Sequence, residues 1–355
     1  MRILLIGPLP IENDVIGGTK VSFRNLVAFL RDDTETEIEV INTSRPIAGR
    51  GRIAVLFANI GALLRTYAAL IWRTPRSDIV MLNLSAHAAL KTAWLMTFIV
   101  RTLFRRRFVV RVFGGDMFHA SSAASFFARK LFSYTLRNAE ISYLQTKTLV
   151  SAFPEFPNVR WLPTTRDMSP RDSSLPTECR RALFLSQVKK SKGVVDILEA
   201  SKRVHSTYAF TVAGPMIDCD EFVDDPSYPD VKISGPVPFE SVAGVIESHD
   251  VLLLPSHRVA EGYPGILLEA MQLGVPIIAT KLDSLQEIVK DGVNGLLVPV
   301  GNPEALADAL DRLADDPTFF QQLQAGALSA GEEFRIATRM NILKSAFRQI
   351  LTVGS

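Results

Sequence analysis

The chain has 355 residues, a formal net charge of +2 at pH 7, 47% hydrophobic and 21% charged residues. That length usually divides into two cores, and that balance excludes a disordered or fibrous chain. The small net charge hides an asymmetry, because residues 1–170 hold 22 basic against 12 acidic side chains, or +10, which leaves −8 for the remainder; the basic half suits an anionic partner.

In chain order, the opening Met1-Arg-Ile-Leu-Leu-Ile-Gly has too short an apolar run for a signal peptide and reads as a first strand. Further β-rich runs follow at Ile38 to Ile41, Ile79 to Leu82, Phe108 to Val112, Ile141 to Leu144, Ala182 to Leu185, Phe210 to Ala213, Val251 to Leu254 and Ile277 to Ala279. Helical segments alternate with them, the first carrying Phe23, Leu26, Val27 and Leu30. Such alternation predicts β-α-β units, parallel sheets and an α/β fold. Leu162 to Cys179 is polar and rich in Pro, Thr and Ser, the composition of a linker. The expected division is therefore a first Rossmann-like domain over 1–165, a linker over 166–180, a second Rossmann-like domain over 181–333 and a last helix over 334–355. In that helix Ile342, Leu343, Ala346, Phe347, Ile350 and Leu351 recur at helical spacing.

Residues 51–107 combine apolar side chains (Val55, Leu56, Phe57, Leu63, Leu64, Leu70, Trp72, Leu90, Trp94, Leu95, Met96, Phe98, Ile99) with a fringe of Arg and Lys. That describes an interfacial helix for an anionic membrane, although part of it must be core. No run is long enough to span a membrane. Cys179 and Cys219 fall in segments that read as linker and loop, without metal-ligand spacing, so a reducing cytosol is the expected setting. Asp218-Cys-Asp220 lies among further acids and reads as a solvated loop; no metal is expected, and no nucleic-acid partner.

The most informative run is Glu261-Gly-Tyr-Pro-Gly-Ile-Leu-Leu-Glu269, continuing through Gly274-Val-Pro-Ile-Ile-Ala279. Pro264 suits a first helical turn and Gly274 the position after a last one, so a helix is predicted from about Pro264 to Leu273. The free N–H groups of Gly265 and Ile266 would then favour an anion such as phosphate, and Gly262 and Gly265 let a ligand approach closely. Glu269 is flanked by Leu268 and Ala270. An ionised carboxylate in that setting needs donors, which the hydroxyls of a ribose beside the phosphate would supply.

Glu-x7-Glu, the Gly-x-Pro-Ile-Ile-Ala that follows it, and Glu287-Ile-Val-Lys-Asp-Gly-Val-Asn-Gly-Leu-Leu-Val298 together resemble the family 4 retaining glycosyltransferases of GT-B fold, over about Arg181 to Leu310. The resemblance implies two Rossmann-like domains facing across a cleft, with the last helix crossing back onto the first domain. It implies that a nucleotide-sugar donor, UDP- or GDP-linked, binds the second domain and that a glycan or lipid-linked acceptor meets the first. It also implies a peripheral place on the inner face of the cell membrane, in cell-envelope polysaccharide synthesis, with no cofactor beyond the donor. By the same resemblance Glu261 holds a donor-sugar hydroxyl, Glu269 the ribose and Lys192 the diphosphate. Tyr263 and Pro264 belong to the same donor loop, and Gly214 and Val237 meet the base. The glycine pair Gly17 and Gly18 opens the first helix at the cleft.

Two departures from the family stand out. Gln187 occupies the place of its usual arginine, leaving a diphosphate charge unmet unless Lys189 or Lys190 reaches in. Phe113-Gly114 lacks the histidine of many relatives, which leaves Asp116 as candidate partner of an acceptor hydroxyl or as a plain helix cap, with His119 its neighbour. A sugar-nucleotide epimerase or hydrolase of the same fold, and a nucleotide-sugar-binding protein with little turnover, stay open as alternatives.

Overall fold

A computed structural model of the protein describes residues 1–11, 18–44, 52–115, 117–171, 174–223, 225–259 and 261–352. The chain divides into two compact units, Met1–Thr165 with the chain from Ile336 onward, and Arg166–Arg335.

The first unit contains β1 (Arg2–Gly7), α1 (Gly18–Arg31), β2 (Glu37–Asn42), α2 (Arg52–Arg73), β3 (Ile79–Ser85) and α3 (Ala86–Thr97). These are followed by β4 (Arg107–Phe113), α4 (Met117–Ala123), α5 (Phe126–Asn138), β5 (Ile141–Leu144), α6 (Lys147–Ser151) and β6 (Val159–Trp161). The second unit contains β7 (Arg181–Leu185), α7 (Val194–Ser201), β8 (Ala209–Ala213), β9 (Val231–Ser234), α8 (Val242–Glu247), β10 (Val251–Leu254) and α9 (Gly265–Gln272). It ends with β11 (Ile277–Thr280), α10 (Asp283–Ile288), β12 (Gly295–Val298), α11 (Pro303–Asp315) and α12 (Pro317–Glu332), after which α13 (Ile336–Thr352) returns to the first unit.

Each unit is built on one sheet whose described strands are all parallel, in the orders β2-β1-β3-β4-β5-β6 and β12-β11-β10-β7-β8-β9. The period-2 alternation of the strands sorts their side chains to two faces. In the first unit Ile3, Leu5, Ile79, Met81 and Val109 pack against Phe23, Leu26 and Val27 of α1 and Met340, Leu343 and Phe347 of α13. Leu4, Ile6, Val80, Leu82 and Val110 face Ala89, Leu90, Ala93 and Met96 of α3 and Phe132 and Leu136 of α5. Both faces are covered, as parallel sheets require, and each fully buried Leu, Ile or Phe contributes about 1.5–3 kcal/mol.

The last helix is therefore part of the first unit. Beyond its apolar stripe, Lys344 Nζ lies 2.6 Å from Asp33, Arg348 pairs with Glu35, and the Arg339 guanidinium sits 4.3 Å over the Trp161 ring. The Lys344 ammonium, with the Thr36 hydroxyl, holds the Asp33 carboxyl down at about 2.

Several expectations change. Ile342 is 51% exposed, because it lies off the stripe that Met340, Leu343 and Phe347 define. Leu70, Leu90, Met96 and Ile99 are core rather than membrane-facing surface. The stretch read as a linker packs within the second unit: Arg166 N donates to Phe334 O, and the Arg171 guanidinium donates to Glu247 O at 2.6 Å. Strands β6, β9 and β12 are additional to the runs expected from the sequence.

Both cysteines are buried rather than loop-exposed. Burial pushes the Cys179 thiol up to about 12, and burial together with the neighbouring Asp218 carboxylate pushes Cys219 to about 12. At pH 8 roughly one thiol in ten thousand would be a thiolate. Neither cysteine should therefore react with iodoacetamide in the native protein, and both should react in guanidinium; mass spectrometry showing rapid native alkylation would contradict the buried placement.

Candidate active site

The site is assembled where chain segments leave the carboxyl ends of β7, β8 and β10 in the second unit. After β7, a single turn over Lys190–Lys192 ends at Gly193, whose φ is +80°. A Cβ there would stand 1.9 Å from Pro255 O, so only glycine lets this turn press against the chain leaving β10. Two further contacts lock it. His257 N donates to Ser191 O at 3.0 Å, and His257 Nε2 lies 2.7 Å from Asp196 Oδ2 on α7.

This packing brings Lys192 to Glu261, 69 residues away in sequence. Lys192 Nζ donates to both Glu261 carboxylate oxygens at 2.7 Å each, and Ser256 Oγ donates to Oε2 at 3.0 Å. Both paired side chains are 9% exposed. Two residues expected to touch different parts of one donor molecule thus hold each other as a buried ion pair.

The helix following Glu261 runs Gly265–Gln272 with Pro264 at its N-cap, and no side chain caps it. Pro264 lacks the N–H, and its fixed φ sets the entry of the chain. Glu269 is buried at 7% exposure. The donor it needs comes from within the chain: Arg166 Nε donates to Glu269 Oε1 at 2.6 Å. The same guanidinium lies against the helix start, where a Cβ on Gly265 would fall 2.1 Å from Arg166 Nη2. Tyr263 is buried, its hydroxyl donating to Glu287 and its ring standing edge-on to Phe334 at 6.0 Å. Gly262 and Ile266 are half-buried beside them.

The remaining expected residues fall as follows. Gly214 N donates to Gly235 O at 3.1 Å, which joins the turn after β8 to the segment containing half-buried Val237. Gln187 is exposed. Lys190, one possible substitute for the family's arginine, is engaged by Glu221 at 2.6 Å. Gly18 is the first residue of α1. Gly17 and Asp116 lie outside the described residues, and His119 is placed only as a position on α4. Phe113 ends β4 with the Arg111 guanidinium 4.5 Å from its ring. The acidic loop is held by its own partners, Asp218 accepting from Lys190 N at 2.7 Å and Asp225 from Ser227 N at 2.9 Å.

Sequence reasoning missed Arg166, Ser256 and the Asp196–His257 pair. Ser256, directly after the apolar β10 strand and Pro255, carried a positional signal that could have been used. Arg166 carried none.

A buried carboxylate and a buried ammonium, a carboxylate on the first turns of a helix, and uncapped amides at its start are groups whose chemistry suits a phosphorylated, hydroxyl-rich ligand. Residues 179–316, which contain every one of these groups but Arg166, match the family model described as Glycosyl transferases group 1.

This stretch is a group 1 glycosyl transferase domain.

Among curated relatives, the D-inositol 3-phosphate glycosyltransferase of Frankia alni is 34% identical over 116 residues, 32% of this chain and 28% of that protein. The amylovoran biosynthesis glycosyltransferase AmsK of Erwinia amylovora is 36% identical over 88 residues, 24% of this chain and 22% of that protein. The chain spans less than a third of the length of these two relatives. Among solved structures, Anabaena HepE in complex with UDP superimposes with a TM-score of 0.73 at 15% identity, over 98% of this chain and 100% of that one. At that identity the likeness concerns the fold, which is of the GT-B class.

The pairing of Lys192 with Glu261 makes a stability prediction. Removing one partner of a buried ion pair strands the other, at a cost of about 3–5 kcal/mol, whereas replacing both by apolar groups is often neutral. Lys192→Met should lower the melting temperature of the intact protein markedly, and the double variant Lys192→Met/Glu261→Leu should recover most of the loss. If the double variant melts no higher than the single one, the two side chains are not energetically coupled.

Proposed function

We propose that the protein is a retaining glycosyltransferase that moves a sugar from a UDP- or GDP-linked donor to a glycan or lipid-linked acceptor in cell-envelope polysaccharide synthesis. The observation that carries this reading is the joining of Lys192, Glu261 and the uncapped start of α9 in one buried site of a group 1 glycosyl transferase domain. UDP in the structure of HepE and the amylovoran role in the name of AmsK support the donor class and the pathway class.

In this reading the bond between the anomeric carbon and the donor diphosphate breaks, and its electron pair leaves with the phosphate oxygen. Negative charge grows on that oxygen while the sugar becomes oxocarbenium-like, so cations and amides aimed at the diphosphate lower the barrier. Glu261 takes two of the three N–H donors of Lys192, and the third serves the diphosphate. The amides of Gly265 and Ile266 receive a phosphate oxygen, and Glu269 holds the ribose. The acceptor hydroxyl attacks from the face the leaving group vacates, its proton passing to a phosphate oxygen, so configuration is retained without an enzyme nucleophile. Glu261 orients the sugar through a hydroxyl. No metal takes part in this scheme. Gly214 and Val237 flank the base, and Asp116 receives the acceptor hydroxyl.

The test is turnover of UDP- and GDP-sugars by the purified protein, as transfer or slow donor hydrolysis with the product anomer determined. Lys192→Ala, assayed well below its melting temperature, should lower turnover at least ~100-fold, corresponding to roughly 3 kcal/mol of transition-state stabilisation. A protein that neither binds nor consumes any nucleotide-sugar, or a variant that stays within a few-fold of wild type, would refute the assignment of donor or of Lys192 respectively.

The peripheral membrane part of the reading rests on α2. Phe57, Ile60, Leu64 and Ile71 are exposed at helical spacing on one stripe, with Trp72 beside them. Exposed Arg65, Arg76 and Arg105 accompany them, and the Arg76 guanidinium lies 4.6 Å over the Trp72 ring. Among the described residues no helix is long and apolar enough to cross a membrane. Apolar side chains with a basic fringe suit the headgroup zone on the cytoplasmic face. Flotation with phosphatidylglycerol vesicles should be weakened at least ~10-fold by the double change Phe57→Ser/Leu64→Ser, which removes two large inserting groups; equal flotation would place the contact elsewhere.

A further inference from the structure

The first unit has its own cleft of about 920 Å³ at the carboxyl ends of β1, β2 and β3, walled by α2 and α3. Its charged and titratable lining residues are Lys20, Arg65, Arg73, His87 and Lys91, and among the described residues no Asp or Glu lines it. Arg73 is tied to Glu39 at 3.4 Å. Arg65 and Lys91, from α2 and α3, are exposed on its walls. Ser85 caps α3 by accepting from Ala88 N, and Ser85, His87 and Ala88 all line the cleft. The first turn of α3 therefore brings its positive dipole end to the same space.

A second, independent feature lies in the lining. Asn83 on β3 is fully buried, and among the described residues neither its Oδ1 nor its Nδ2 has a hydrogen-bond partner. Burying an amide without partners is costly, so the orphan marks a position where a ligand completes the bonding. An amide offers one acceptor and one donor group, the complement of a hydroxyl, which also both donates and accepts. Among the described residues no Phe, Tyr or Trp lines the cleft to stack on a nucleobase.

We propose that this cleft binds a phosphate-bearing, hydroxylated head group, a sugar or polyol phosphate, with a hydroxyl on Asn83 and the phosphate among the α3 start, Arg65 and Lys91. The assignment rests on the transferase reading above and names the chemistry of its acceptor. The head group is either a free sugar phosphate or part of a phospholipid.

The test titrates the full-length protein with glucose 6-phosphate, glucose and inorganic phosphate, and separately with vesicles containing phosphatidylglycerol. Glucose 6-phosphate, or the vesicles, should bind at least ~10-fold more tightly than either fragment probe. Asn83→Leu keeps the number and branching of the side-chain heavy atoms, replaces the two buried polar atoms by methyl groups, and should weaken that binding at least ~10-fold. Lys91→Gln on the exposed wall, which carries no folding risk, should weaken binding and flatten its dependence on salt. Asn83-dependent binding of glucose 6-phosphate indicates a soluble source, and Asn83-dependent binding of vesicles a lipid one. Affinities unchanged in both variants overturn the proposal, as does the absence of binding by either probe to a wild-type protein that binds UDP or GDP. Failure of the wild type to bind either nucleotide would instead count against the transferase reading itself.

Discussion

The second unit depends on one constraint, the need to bury a carboxylate and an ammonium together. Lys192 and Glu261 are nearly solvent-free, and each makes the other tolerable there. Their meeting requires the turn after β7 to touch the chain after β10, which Gly193 alone permits and which His257 and Asp196 reinforce. In the proposed transfer reaction, charge pre-organised in this way removes reorganisation that water or flexible side chains would otherwise undergo. The uncapped start of α9 follows Glu261 after only three residues, so the same constraint fixes where an anion would lie relative to the pair.

The framework was legible because its signals are local. Strands such as Ile79 to Leu82 are runs of β-branched and apolar residues buried on both faces, and the α9 boundaries follow from Pro264 and Gly274. Glu261, Glu269 and Lys192 were also legible as candidates, since charges inside apolar sequence require partners. The identity of those partners was not legible. Arg166 meets Glu269 across 103 residues of sequence, and nothing in a polar Pro-Thr-Thr-Arg segment distinguishes a buried arginine from a solvated one. For the same reason the apolar list over residues 51–107 mixed core with surface: helical spacing sets a face, but only packing determines whether that face is covered. Leu70 and Leu64 lie on one helix and end at opposite extremes of exposure.

The two sheets carry polar groups in different ways. In the second unit every candidate charge that is buried has a named partner. In the first, Asn83 has none among the described residues, and the neighbouring strand contributes a buried guanidinium, Arg111, which donates to Pro163 O at 2.9 Å. A parallel sheet that tolerates an amide and a guanidinium on adjacent strands forgoes apolar packing at its carboxyl end, where ligands of open α/β sheets bind.

Arg166 and Gly265 also restrict each other's sequence drift. The guanidinium fills the space above the helix start so closely that a side chain at position 265 would displace it from its contact with Glu269. Conversely, a smaller residue at 166 would leave Glu269 short of its donor and open room at 265. The two positions, 99 apart in numbering, therefore form a coupled pair. Among homologues that keep this geometry, a side chain at 265 is expected only together with a shorter residue at 166 and a neutral one at 269, so that a change at one position arrives as a set of three.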